Sequence, residues 1–175
     1  MADRESIAGR EHQGGEAMTS RILLVTGSRA LEGSAYEAQA RAVLAAYATA
    51  FAPSLVVAGD AGGPDAWAAE WVAATQGVGL RVYDLKRNVI NEHNELVREW
   101  SVLEGTESKP LPLQRNASMV WETAEQQRKG AVVEVFALHA AWSKTAGTLH
   151  TWSAARVRGL RGTMVRFEEA ERRPE

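Results

Sequence analysis

Beyond residue 20 the chain alternates short apolar runs with longer stretches of helical spacing. The runs at 22–26, 55–58, 80–83, 132–137 and 163–167 are aliphatic and rich in β-branched residues, and predict five strands. They are almost continuously apolar, the pattern of parallel strands covered on both faces. Between them, 35–50 is Ala-rich, with apolar positions at Ala38, Ala42, Ala45 and Ala46 extended by Thr49, and predicts a crossover helix that ends before Pro53. A second helix is predicted over 64–75, with Pro64 in its first turn, a third over 91–103 and a fourth over 116–129. The intervening 104–114 is predicted as loop, because Pro110 and Pro112 fall within three residues. After the last long apolar run, the segment beginning at Trp142 gives a small-residue turn and another helix start near Gly147.

Strands alternating with helices imply βαβ units. The expected fold is therefore α/β, a Rossmann-like three-layer arrangement with a mostly parallel sheet of about five strands flanked by helices. Right-handed crossovers place every strand-to-helix turn on one edge of such a sheet, the edge where ligands bind. The chain's 175 residues suit one domain, expected over 20–168, with a polar N-terminal tail at 1–19 and a charged C-terminal tail at 169–175.

Four turns carry the candidate chemistry. In the first, Gly27 permits the turn, Ser28 offers a hydroxyl to a phosphate oxygen or to a helix cap, and Arg29 offers a fork of donors. The second holds Gly59, Asp60, Gly62 and Gly63, whose missing side chains allow close backbone approach. It ends at Asp65, which either supports its own helix start or accepts from a ribose hydroxyl. At the third, Arg115 is delivered to the mouth of the fold, and Asn116 reads as the N-cap of the fourth helix. The last turn presents Ser143, Thr145, Gly147 and Thr148 with free helix N-terminal amides, a natural anion site. His139 and His150 lack an orienting carboxylate nearby in sequence and are assigned no role.

Composition narrows the chemistry. There is no cysteine, hence no disulfide, thiolate nucleophile or Cys-bearing metal site; neither a metal nor a cofactor is expected. A net charge of -2 disfavours nucleic-acid binding along a basic track. No apolar stretch approaches the roughly 20 residues that span a bilayer, so no membrane partner is expected and the expected compartment is the cytoplasm. The six tryptophans predict helix–sheet packing or an interface, and with it a homo-oligomer.

In order and spacing, V-T-G-S-R at 25–29, G-D-A-G-G-P-D-A-W-A-A-E-W at 59–71, R-N-A-S-M at 115–119 and G-T-L-H-T-W-S-A-A at 147–155 together resemble the SLOG superfamily, and within it the YspA-type (cpYpsA-related) domains. The likeness covers about residues 21–167. It implies a Rossmann-like domain that binds or senses a nucleotide or nucleotide-derived ligand, such as a nucleotide-sugar. The same superfamily includes the LOG, lysine-decarboxylase-like phosphoribohydrolases, which cleave the base from a nucleoside monophosphate. Their pattern places an Arg in R-K-x-x-M and a Glu three residues after a Gly-Thr pair. Arg115 and Met119 match the first, with Asn116 in place of Lys, whereas the Glu position falls on Thr151.

That departure separates two expectations. Breaking an N-glycosidic bond builds positive charge on the sugar, which a carboxylate stabilises and a threonine cannot. The leading expectation is thus a binder or sensor without turnover. The alternative is a nucleotide N-glycosidase in which Arg115 acts together with Asp65, or with Asp60 or Glu70 supplying the carboxylate. A third possibility, single-stranded DNA binding as in the related fold of DNA-processing protein A, rests on Arg156, Arg158 and Arg161 beside Trp152.

Overall fold

The computed structural model describes residues 19–169. Apart from Thr19 and Glu169, the two expected tails lie outside the described residues. The described residues form seven strands and four α-helices: β1 (Arg21–Gly27), α1 (Glu37–Phe51), β2 (Leu55–Gly59), α2 (Pro64–Ala73), β3 (Gly79–Tyr83), β4 (Asn88–Ile90), β5 (Leu96–Glu99), α3 (Leu111–Arg128), β6 (Val132–Ala140), α4 (Gly147–Val157) and β7 (Arg161–Phe167). They build one sheet in the order β5-β4-β3-β2-β1-β6-β7. The five strands expected from sequence run parallel to one another, and β4 and β5 add an antiparallel hairpin beyond β3.

Both faces of the sheet are covered, as the continuous apolar runs require. Along β1, Leu23 and Val25 pack with Leu44 of α1, Trp67 of α2 and Phe136, whereas Ile22 and Leu24 pack on the opposite layer with Met119 and Val120 of α3. A strand lined with aliphatic residues on both sides is stable only between two helical layers. Trp67 and Trp100 are buried, Trp71 and Trp142 pack on the α1/α2 layer, and Trp152 packs on the other.

Three expectations are corrected. The stretch 91–103 is not a helix but the β4–β5 hairpin and its return. Asn91 Oδ1 accepts the amides of His93 (3.0 Å) and Glu95 (2.9 Å), and Asn94 sits in the left-handed region at φ 61°. This local side-chain turn wins over the apolar spacing. Trp100 then closes the hairpin, its Nε1 donating to Asp84 O at 2.8 Å.

The second correction concerns α3, which begins at Leu111 rather than beyond 115. Pro112 lies in its first turn, where a missing N–H costs no hydrogen bond. Asn116 is consequently an interior residue of α3, not its N-cap.

The third concerns the buried face of α1. Ala40, Leu44, Ala48 and Phe51 face the core, whereas Ala38, Ala42, Ala46 and Thr49 are exposed and Ala45 is half-buried. In an Ala-rich helix the few large apolar side chains, here Leu44 and Phe51, decide which side turns inward.

Candidate functional site

The chain passes from β1 to β2 and β3 on one side, then returns to β6 on the other side of β1. Between the carboxyl ends of β1 and β6 the two crossovers diverge, and this switch point is where open α/β sheets in general form a ligand crevice. The turns after β1, β2 and β6 lie at this edge, and Arg115 and Asn116 reach it from α3.

Gly27 ends β1 directly beneath α2. A β-carbon there would stand 2.5 Å from Pro64 Cβ and 3.0 Å from Leu138 O, so only glycine lets the helix start dock. Ser28 follows, its amide donating to Leu138 O at 2.9 Å. Its side chain is buried, and its Oγ accepts from the Ala140 amide (3.1 Å) while lying 3.3 Å from both His139 Nδ1 and Thr148 Oγ1. Adjacent parallel strands thereby bring Ser28 and His139 together although 111 positions separate them. Burial, followed by the Arg166 charge, pulls the His139 pKa below its ordinary value, while Glu168 acts in the opposite sense. Arg29, by contrast, is exposed.

At the fourth turn α4 begins at Gly147 with no side-chain cap, and its first intrahelical bond is donated by the His150 amide to Ala146 O (2.8 Å). The amides of Gly147, Thr148 and Leu149 precede that bond and point out of the helix end. Thr145 is exposed and Ser143 half-buried, with their hydroxyls 3.0 Å apart. Thr151, where a Glu would stand in the phosphoribohydrolase pattern, is fully buried and donates to Gly147 O at 2.9 Å. One residue earlier, His150 Nε2 lies 3.4 Å from Lys109 Nζ, and burial and that lysine lower the His150 pKa.

The turn after β2 and the Arg115–Asn116 pair of α3 form one cluster. Arg115 is only 6% exposed, yet it ion-pairs with Asp60 and gives both Nε (3.0 Å) and Nη2 (2.9 Å) to Asn116 Oδ1. Asp60 also accepts the Leu85 amide at 3.2 Å. With its oxygen occupied by Arg115, Asn116 turns its Nδ2 toward the start of α4, 4.0 Å from where a β-carbon of Gly147 would be. Gly63, at φ 69°, and Gly62 pack against Arg29 and Glu32, so the loops after β1 and β2 lie side by side.

Asp65 lies in the first turn of α2 and is buried, with Oδ1 lacking any hydrogen-bond partner. Burial pushes its carboxyl up to about 7; the neighbouring Arg115 charge and the Ala61 and Gly59 amides pull downward, and Asp60 adds to the rise. A buried carboxyl that titrates near neutrality beside a guanidinium is the kind of group found where proton chemistry or ligand recognition occurs.

Sequence reasoning assigned His139 no role. The signal that points to it is positional: it stands at the carboxyl end of the strand that pairs with β1, level with the Gly27-Ser28 turn. Cavities of about 650 and 780 Å³ lie at the opposite edge of the sheet, around Ser54, Trp71, Gln76 and Gly77. Neither is lined by residues of the four turns.

Among the described residues, no helix is long and apolar enough to cross a membrane. Compared with protein-family models, curated proteins and solved structures, the chain finds no match in any of the three.

Proposed function

We propose that this is a nucleotide-binding or nucleotide-sensing domain of the SLOG type, which takes a phosphate on the amides at the start of α4. Ser143 and Thr145 flank that phosphate, the Gly27–Arg29 turn closes the crevice, and the Asp60–Arg115–Asn116 cluster with Asp65 meets a second polar part of the ligand. The observation that carries this reading is the position of Asn116, whose side chain is held by the buried Arg115 and whose amide nitrogen lies close to the uncapped helix start at Gly147. Free helix amides and a buried guanidinium within one crevice suit an anion carrying further hydrogen-bonding groups. Calorimetry with AMP, ADP-ribose and NAD tests it: one of them binds saturably, and silence from all three with folded protein rejects the reading.

A second reading, a nucleotide N-glycosidase, draws support from Asp65. Its unpartnered Oδ1 and pKa near neutrality suit a group that accepts a proton from attacking water while the C–N bond to the base breaks and the base leaves with a proton from solvent. Thr151 offers no carboxylate, and its hydroxyl is already engaged with Gly147 O. Free base accumulating during prolonged incubation with AMP supports turnover; intact AMP leaves the binder.

We further propose that the domain self-associates. On the edge strand β5, Leu96 is 62% and Val97 42% exposed, and Trp121 of α3 is 39% exposed beside the Glu122 that Arg98 of β5 pairs with. Exposed apolar side chains on and beside an open sheet edge favour pairing with a second copy of the chain. Light scattering giving a dimeric or larger mass supports it; a monomer at high concentration refutes it.

A further inference from the structure

We propose that His139 is a positioning residue of this site: through Ser28 it sets the direction in which the Thr148 hydroxyl points, so that Thr148 donates to an anion at the start of α4. The inference rests on the nucleotide-binding reading and adds to it the group that orients the anion contact.

The argument is a count of protons. Ser28 Oγ has one hydrogen to give and two lone pairs to fill, and the Ala140 amide already occupies one of them at 3.1 Å. Two neighbours remain, His139 Nδ1 and Thr148 Oγ1, each at 3.3 Å. When Nδ1 carries no proton, Ser28 gives its hydrogen to Nδ1 and its second lone pair takes the hydrogen of Thr148. Thr148 then presents only lone pairs to an incoming anion. When Nδ1 carries a proton the chain reverses: Nδ1–H donates to Ser28, Ser28 donates to Thr148, and the Thr148 hydrogen is free for a phosphate oxygen. All three side chains are buried, at 7%, 1% and 3% exposure, so water does not satisfy them in place of one another.

An anion therefore selects the Nδ1-protonated forms of His139. Of these, the imidazolium also attracts the anion by charge. The charged groups facing His139 are Arg166, paired with it across the β6–β7 register, and Glu168; on the β1 and α4 sides its neighbours are the neutral hydroxyls of Ser28 and Thr148. Burial and Arg166 disfavour the charged imidazole in the free protein, so an anion at the start of α4 is what draws the proton on to Nδ1.

Nitrogen NMR of histidine-labelled protein tests this, with ADP-ribose as the probe because its charge is constant through the neutral range. Free protein shows an unprotonated Nδ1 on His139, and saturating ADP-ribose converts it to a protonated one. Affinity rises about tenfold as pH falls from about 8 to 5.5, because binding takes up a proton and lower pH favours that uptake. His139→Asn, whose amide N–H donates to Ser28 at every pH, binds within about threefold of the parent at pH 5.5 and loses the pH dependence. A complex in which Nδ1 stays unprotonated overturns the proposal alone, as does a pH profile unchanged in His139→Asn. If ADP-ribose fails to bind at any pH, while AMP and NAD fail as well, the proposal falls together with the reading on which it rests.

Discussion

Asp65 and Arg115 meet over the bare Cα of Gly59: a β-carbon added there would stand 2.6 Å from Asp65 Oδ2 and 2.8 Å from Arg115 Cζ. The end of β2 therefore acts as the floor on which a buried carboxyl and a buried guanidinium rest side by side. Gly59→Ala must push both side chains away. The expected result is a stability loss of about 1–3 kcal/mol, as for other overpacked sites, with a fall of about tenfold in affinity for ADP-ribose. Thermal unfolding and calorimetry on the same sample check the two effects.

The Asp65 carboxyl makes stability depend on pH in the sense opposite to an ordinary salt-bridged aspartate. Its pKa is about 7 in the folded protein against 3.8 as a free group, so between those values the native state holds a proton that the unfolded chain has released. Stability then falls as pH rises from about 4 to 7, and the loss is complete above that window. At about 1.4 kcal/mol for each pKa unit, the full effect is on the order of 4 kcal/mol. Asp65→Asn copies the neutral carboxyl and removes the titration. The variant is expected to match the parent near pH 4 and to exceed it in melting temperature by a margin that grows up to about pH 8. A margin independent of pH would contradict the assignment.

Arg115 is the charge that restrains this rise. Arg115→Gln removes it while keeping donors for Asn116, so the Asp65 carboxyl is expected to titrate above 7 rather than near it. Carbon NMR of the Asp side-chain carboxyls follows the change directly. An Asp65 midpoint that stays in place would show that the two side chains do not interact.

Much of this arrangement was legible in the sequence because parallel strands buried on both faces leave an unbroken apolar signature. The five such runs mark β1, β2, β3, β6 and β7, and glycine-bearing turns follow β1, β2 and β6. What stayed hidden depends on short-range polar chemistry or on pairing at a distance. The β4–β5 hairpin has its apolar residues at a spacing that a helix would also satisfy, and the turn is decided by Asn91 Oδ1 and the left-handed Asn94. Pro112 looks like a helix breaker until the helix is seen to start one residue before it. The partnership of Ser28 with His139 needs the register of β1 against β6, which no local pattern encodes. For the same reason, the tie between Arg115 and Asp60 emerges only when α3 is laid beside β2.

The two glycines at the crevice separate packing from ligand contact. Gly27 lies under the Pro64 ring and against the Leu138 carbonyl, so Gly27→Ala displaces the start of α2 and is expected to cost about 1–3 kcal/mol of stability. Gly147 has no neighbour nearer to an added β-carbon than Asn116 Nδ2 at 4.0 Å, its φ is not positive, and it opens a helix, where alanine is the better residue. Gly147→Ala is accordingly expected to keep or slightly raise the melting temperature. The new methyl group, however, occupies the space between Asn116 and the amides that would hold the phosphate, and affinity for AMP and ADP-ribose is expected to fall about tenfold. A stable Gly147→Ala protein that binds both nucleotides like the parent would move the anion site away from the start of α4.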